Sequence, residues 1–391
     1  MVESRSRPIN RRYFLERLID LLVPLVDLKT QYQTLKNEID DAIRGVIEET
    51  AFIGGARVSQ FESRFAELLG VERCIGCGNG TDSLYVIMKM LGIGPGDEVI
   101  TVANSWISTS ETISQTGASP VFVDVDPVYY TLAPNLIEEK LNEKTKAIIP
   151  VHIFGQPCDM TEIVKLCEKH KLYLIEDCAQ AHLAEFEGKV VGKFGNAGSF
   201  SFYPGKNLGA YGDAGCIVTD DTELATQCQM YARHGALVKH DHRIEGINSR
   251  LDGLQAAILS AKLPHLVRWT NSRIQRASEY TELLKEVEEV RLPQTRPGCK
   301  HVFHLYVIQA EARDELAAFL KAQGIQTGIH YPTPLPFLPC YEHLNHSLND
   351  FPVANMLKTK ILSLPMFAEL TSEQVRRVTD GIKQFYSQRR S

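Results

Sequence analysis

Lys206 is the residue whose surroundings most suggest chemistry. It sits in SFSFYPGKNLGAYGDAG (199–215), which opens with alternating small and aromatic residues, as a short buried strand does. Pro204-Gly205 breaks that strand, Gly209, Gly212 and Gly215 punctuate the segment after the break, and a second apolar run begins at Cys216. A lysine on an ordinary loop is solvated and inert. Held by tight turns between buried strands it is partly desolvated, its pKa falls, and its amine can form a Schiff base with an aldehyde. A second stretch, LYLIEDCAQAH (172–182), reads as a buried strand that ends in an acid, Asp177. Pyridoxal phosphate needs a lysine for its aldehyde, a carboxylate for its pyridinium nitrogen and a cradle for its phosphate. Lys206 and Asp177 supply the first two.

GNGTD (78–82) offers the third. It follows an apolar run and opens a helical pattern, so free backbone N–H groups and the helix dipole suit a phosphate there. Many strand-to-helix turns share this look, and the motif is weak on its own.

The elements that must carry these residues are legible around them. Candidate strands are Arg73–Cys77, Glu98–Val102, Pro120–Val123, Ala147–Val151, Leu172–Ile175, Ser199–Phe202 and Cys216–Thr219. Several are continuous apolar runs, as in a sheet covered on both faces. Helical patterns lie between most of them, for example Met160–His170 entered through Asp159 as a cap. The spacing predicts an α/β doubly wound domain. Before it, apolar residues recur at helical spacing over Gln31–Glu49, and a second helix is expected over Ser59–Leu69. After it, a helical pattern runs from Leu251 to Val287 with a break at Pro264. The remainder reads as a smaller α+β unit with strands near Glu289–Leu292, His301–Gln309 and Ile325–Tyr331, closed by a helix with the capping box Thr371-Ser-Glu-Gln374. The division is thus an N-terminal extension over 1–20, a large domain over 21–263 with a helical arm, and a small C-terminal domain over 264–391.

With GNGTDSL (78–84), VANSWISTSET (102–112), PVHIFGQPCDM (150–160), EDCAQAH (176–182), SFSFYPGKNLGAYGDAG (199–215), NSRLDGLQAA (248–257) and GIHYPTPL (328–335) in this order, the chain resembles the DegT/DnrJ/EryC1/StrS sugar aminotransferases. These are fold-type I pyridoxal-phosphate enzymes, and the resemblance spans about Val23 to Phe385. It implies a seven-stranded, mostly parallel sheet in the large domain. It also implies a homodimer with shared active sites, L-glutamate as amino donor, and a keto group on a nucleotide-linked sugar as acceptor.

The same resemblance assigns roles. Lys206 is the Schiff-base lysine and moves the proton. Gly80, Thr81 and Ser201 hold the cofactor phosphate, joined by Asn248 from the other subunit. Trp106 stacks over the pyridine ring, where the alternative is a core tryptophan. Asp177 pairs with the ring nitrogen and Gln180 with the ring hydroxyl. Arg250 either binds the donor carboxylate across the dimer or pairs with a nearby acid such as Asp252. His330 and Tyr331 fall in a segment near the sugar. A histidine common in the family after Pro-x-Pro-Leu is replaced here by Pro336. His182 reads equally as a structural partner and as a group behind the site. Lys206 argues against the dehydratase branch, in which histidine replaces that lysine. Asp82 and the 202–215 run look more like members that aminate a 3-keto sugar. A 4-keto substrate is the alternative, and a non-catalytic cofactor-binding regulator a more distant one.

Composition is ordinary for a soluble globular protein. The chain has 391 residues, 44% hydrophobic and 23% charged, with a net charge of −6. No basic block suggests nucleic acid and no apolar run approaches the ~20 residues of a membrane span. Residues 1–20 are Arg-rich but lack the apolar core and small-residue cleavage site of a secretory signal. Nine cysteines show no disulfide framework, and Cys74-Ile-Gly-Cys77 stands without a second pair, so two reduced thiols are expected rather than zinc. His240-Asp-His242 offers two ligands at most. The setting expected is a reducing cytoplasm.

Overall fold

Strands and helical segments alternate from Arg73 to Asp177, two further strands follow without a helix between them, and together they build the sheet on which the site rests. A computed structural model describes residues 22–390. The extension expected over 1–20 lies outside the described residues. The main strands are β1 (Arg73–Cys77), β2 (Glu98–Val102), β3 (Ser119–Val123), β4 (Thr145–Ile149), β5 (Tyr173–Asp177), β6 (Ala197–Ser201) and β7 (Gly215–Thr219). They form one seven-stranded sheet in the order β1-β7-β6-β5-β4-β2-β3. β7 runs antiparallel to both neighbours, and the other pairs are parallel. Asp177 ends β5 and Ser201 ends β6, so both emerge at the edge where open α/β sheets bind ligands.

The sheet is buried on both faces, which is why its strands are apolar at nearly every position. Ile75, Val99, Ala147, Ile175 and Ile217 pack beneath the helix α3 (Gly80–Met90) in one core. On the other face, Cys74, Phe200, Cys216 and Val218 pack with Phe61 and Phe65 of α2 (Gly55–Leu69). Ile100, Ile148 and Leu174 pack with Ile163 and Cys167 of α5 (Met160–His170). The remaining helices of this half are α1 (Leu28–Glu49), α4 (Ser108–Thr116) and α6 (Thr222–Tyr231). Asp159 caps α5 by accepting from the Glu162 N–H at 3.4 Å.

α7 (Gly253–Lys262) and α8 (Leu266–Leu284) are joined by a single tight turn, Leu263–His265, at the predicted Pro264 break. Beyond them, β8 (Val290–Arg291), β9 (Tyr306–Ala310) and β10 (Ile361–Leu364) form a second sheet in the order β8-β9-β10. α9 (Arg313–Ala322), α10 (Pro352–Lys360) and α11 (Ser372–Arg390) accompany it. Thr371 and Gln374 close the predicted capping box at 2.9 and 3.1 Å.

Two expectations fail here. Ile325–Tyr331 is not a strand. Ile325 bridges Val23 and Gly328 bridges Ser363, two different partners, so no continuous ladder forms. The third strand is instead Ile361–Leu364. The strand expected from His301 begins only at Tyr306, because the preceding backbone is spent elsewhere. Cys299–Lys300 pairs with Glu185–Phe186, and the Val302 and Leu305 amides donate to the Gly155 and Phe154 carbonyls. That detour brings His304 to the end of the main sheet.

Candidate active site

A cavity of about 500 Å³ opens at the C-terminal ends of β5 and β6 and is lined by residues from both halves of the chain. Lys206 and Asp177 share it. Lys206 follows β6 on a turn closed by its own N–H donating to the Tyr203 carbonyl at 2.8 Å. Burial pushes its amine down to about 8, and the Asp177 charge only partly opposes this. Asp177 is buried. Its Oδ1 accepts from the Ala179 N–H at 3.1 Å and its Oδ2 from the Thr109 hydroxyl at 2.8 Å. Burial still raises its pKa, with those two bonds and the Lys206 charge pulling the other way. Each group is therefore short of counter-charge at this end of the cavity.

The other end is built by the start of α3. Asn79 caps the helix, its side chain accepting from the Asp82 N–H at 2.8 Å and its carbonyl from the Ser83 N–H at 3.2 Å. The amides of Gly80 and Thr81 precede both bonds and stay unspent within the helix. Ser201 lines the cavity beside them, its hydroxyl oxygen accepting from the Tyr203 N–H at 3.3 Å. Thr81 and Ser108 hydroxyls meet at 2.7 Å. Glycine is required where these elements converge. A Cβ on Gly80 would lie 2.8 Å from the Ser201 Cβ, and one on Gly215 would lie 2.4 Å from the Asn79 carbonyl carbon.

Trp106 stands at the mouth, 59% exposed, its ring 5.8 Å from that of Tyr331. The core-tryptophan alternative is thereby excluded. Gln180 is fixed by its backbone neighbour, the Phe154 N–H donating to Oε1 at 2.6 Å, and its Nε2 donates to the Tyr331 hydroxyl at 3.1 Å. Burial holds the Tyr331 phenol well above the usual range, so it is neutral. His330 Nδ1 meets the Ser363 hydroxyl at 2.8 Å, and burial lowers its pKa to about 4, with Lys206 adding to the effect.

Of the residues singled out from sequence, the structure brings Lys206, Asp177, Gly80, Thr81, Ser201, Trp106, Gln180, His330 and Tyr331 around one cavity. Asn248 and Arg250 are not among its lining residues. Asn248 is exposed and bridges Arg233, while Arg250 keeps a buried Nε with no partner. His182 lies outside too, fully buried against Phe200 and Phe202 at 5.3 and 5.7 Å, with its pKa pushed down to about 3 chiefly by burial.

Sequence reasoning missed Thr109 and His304. Thr109 sits in the first turn of α4, and its position three residues after Trp106 was the available signal. His304 lines the cavity and its Nδ1 meets Asn207 Oδ1 at 3.1 Å. Nothing local marks it. Cys74 and Cys77 point into opposite cores, so they cannot share a ligand. His152, Glu176 and Cys178 do lie together, but Glu176 is saturated by the Gly192, Phe194 and Gly195 amides and by His152. That cluster is a structural knot behind the sheet.

Residues 33–383 match the DegT/DnrJ/EryC1/StrS aminotransferase family. The chain belongs to that family. Within this aminotransferase family it is 47% identical over 366 residues to a "pleiotropic regulatory protein" of Geobacillus stearothermophilus, covering 93% of this chain and 98% of the relative. It is 42% identical to a UDP-N-acetyl-3-dehydro-alpha-D-glucosamine 3-aminotransferase of Acidithiobacillus ferrooxidans, covering 92% and 97%. The crystal structure of S. venezuelae DesV in complex with a ketimine intermediate superposes with a TM-score of 0.91 at 39% identity, covering 93% of this chain and 98% of that one. Among the described residues no helix is long and apolar enough to cross a membrane, and all nine cysteines are free thiols.

Proposed function

We propose that this chain transfers an amino group from L-glutamate to the C3 keto group of a nucleotide-diphosphate-linked sugar, with pyridoxal 5'-phosphate seated in the cavity that Lys206 and Asp177 share. The observation that carries this reading is the polarity of that cavity. An amine and a carboxylate that feel each other's charge line one part of it, and an unspent helix N-terminus with a serine hydroxyl lines another. The donor set fits a small ring bearing an aldehyde, a basic nitrogen and a phosphate. Bound there, the cofactor supplies an aldehyde and an electron-withdrawing ring that stabilises negative charge at the substrate Cα.

The chain's own residues do the rest. The Gly80 and Thr81 amides and the Ser201 hydroxyl hold the phosphate. Asp177, steadied by Thr109 and Ala179, accepts from the protonated ring nitrogen. Trp106 covers one face of the ring, and Gln180 donates to its hydroxyl. Lys206, with an amine that is neutral in part near pH 7.5, takes a proton from the donor Cα and delivers one back. The same movements in reverse aminate the sugar, so glutamate leaves as 2-oxoglutarate. His330 and Tyr331 border the space left for the sugar. Asn248 and Arg250 act in the site of a second subunit, Asn248 on the phosphate and Arg250 on the donor carboxylate, in a homodimer of the reducing cytoplasm.

The 3-keto preference is supported by the relative named as acting on a 3-dehydro sugar. A second reading, a cofactor-binding regulator, is favoured by the name of the 47% identical relative. Incubation with glutamate and a panel of 3-keto and 4-keto nucleotide sugars, with mass spectrometry of the products, separates them. Amino sugar from a 3-keto substrate supports the proposal. Conversion of glutamate without any amino sugar supports the regulator, and turnover of 4-keto sugars alone moves the site of amination.

A further inference from the structure

Lys262 is one of the largest fully buried side chains in the protein, and it takes no part in the chemistry above. A buried ammonium is costly unless its donors are spent and its charge is met. Lys262 ends α7, and its Nζ donates to the Gly209 carbonyl at 2.7 Å. The same nitrogen lies 4.2 Å from the centre of the Tyr211 ring. Gly209 and Tyr211 are three and five residues beyond Lys206, on the same glycine-broken segment.

Two helical turns earlier, on the same face of α7, Gln255 holds the segment from its other side. Its Oε1 accepts from the Tyr211 N–H at 2.8 Å, and its Nε2 donates to the Tyr211 carbonyl at 3.3 Å. The segment has no strand partner over these residues, and the side chain of Gln255 takes that place. Gly209 packs directly against the start of this turn, since a Cβ there would lie 2.2 Å from the Pro204 carbonyl oxygen. The turn from Pro204 to Tyr211 is thus closed on itself at Gly209 and anchored to α7 at three atoms.

Other charged and titratable groups face Lys262. Glu369, from the loop before α11, is the acid that offsets its burial, and one Glu369 carboxylate oxygen is buried without a hydrogen bond. Tyr211, with Tyr32 and Asp40 of α1 beyond it, also borders the amine, and Arg273 and Asp27 act on the same Glu369 carboxyl. Burial lowers the Lys262 amine to about 8, so it is mostly charged at neutral pH.

We infer that Lys262, together with Gln255, is a positioning residue for Lys206: the buried cation and the amide pin the Gly209–Tyr211 backbone to α7 and thereby fix where the reactive amine stands. The inference rests on Lys206 being the reactive lysine. A surface-like loop would let that amine wander and admit water around it. Both would lower its rate of proton transfer and raise its pKa.

The test uses the full chain with added pyridoxal phosphate and three variants, Lys262→Met, Lys262→Arg and Gln255→Leu. For each, the visible band formed with the cofactor is titrated against pH, the glutamate half-reaction is timed, and the thermal midpoint is recorded. Lys262→Met should slow the half-reaction about 10-fold to 100-fold at nearly unchanged glutamate affinity, as a misplaced reacting group does. It should also move the pH dependence of band formation to higher pH. Lys262→Arg should recover much of both. Gln255→Leu should shift both quantities in the same direction, and serves alone where Lys262→Met does not fold. A wild-type rate and pH profile in a folded Lys262→Met or Gln255→Leu overturns the inference, whatever happens to the thermal midpoint. If the wild-type chain forms no such band, the assignment of Lys206 itself is what has failed.

Discussion

The Thr109 hydroxyl donates to Asp177 Oδ2 at 2.8 Å across 68 residues of sequence, and with the Ala179 N–H it opposes the rise in pKa that burial imposes on that carboxyl group. Burial alone raises the Asp177 pKa. Thr109→Val removes a hydrogen bond to a charged group, about 2 kcal/mol, and the pKa should climb further. Cofactor affinity should weaken roughly 30-fold at neutral pH. Because a higher pKa keeps the carboxyl protonated, the loss should deepen as pH falls and ease as it rises. A cofactor titration at several pH values reads this directly.

The Lys206 amine, lowered to about 8 by burial, should react with pyridoxal phosphate as the neutral species. The rate of combination should fall tenfold for each pH unit below that value and level off above it. An ordinary exposed lysine would keep gaining rate until near its unperturbed pKa of ~10.4. Stopped-flow mixing of cofactor with the cofactor-free chain distinguishes the two profiles.

Trp106 contacts little of its own chain apart from Tyr331 and is largely exposed. Trp106→Ala should therefore change unfolding free energy by no more than about 0.5 kcal/mol. Cofactor affinity should nevertheless drop clearly, since one face of the ring loses its cover. Denaturant melts of the cofactor-free chain set beside a binding isotherm separate these effects. A variant that unfolds easily but binds normally would place Trp106 in the packing instead.

Gly215→Ala would drive a methyl into the Asn79 backbone at 2.4 Å and push β7 away from the start of α3. Such overpacking costs about 1–3 kcal/mol of stability. Here it should also spread the phosphate cradle, so added inorganic phosphate should compete with the cofactor less well than in the wild type.

Much of this architecture is legible in the sequence. All seven main strands fall within two residues of the sequence reading at each end, because strands buried on both faces are runs of apolar residues with sharp ends. Pro264 breaks its helix where its ring demands it. Asp177 stands out because it ends a buried strand with an acid, and Lys206 because it sits on the glycine-broken turn that follows one. The features that stay hidden depend on partners far along the chain. Nothing near His304 announces Asn207, 97 residues away. Lys262 ends a mostly buried helix in a place where a lysine ordinarily complements the helix dipole. β10 is missed because Ile361 is at once its first residue and the C-cap of α10, so no turn signal separates them. Ile325–Tyr331 misleads because its apolar and aromatic residues mimic a strand while its bridges go to two partners.

Asn248 and Arg250 carry the prediction about assembly. In a homodimer with shared sites, a Lys206→Ala subunit and an Asn248→Ala subunit should each be inactive on their own. Co-refolded, their hybrid dimers should contain one intact site of two. With hybrids forming half the population, about a quarter of wild-type activity should return. No recovery would confine each site to a single chain.

Lys206 should be the lysine to which pyridoxal phosphate attaches. Borohydride reduction of the chain incubated with the cofactor, and then peptide mass spectrometry, tests it without any substrate. One phosphopyridoxyl group per chain should appear, on the peptide containing Lys206, and none after glutamate has been added first. A label on Lys262 or on any other lysine, with Lys206 unmodified, would contradict it.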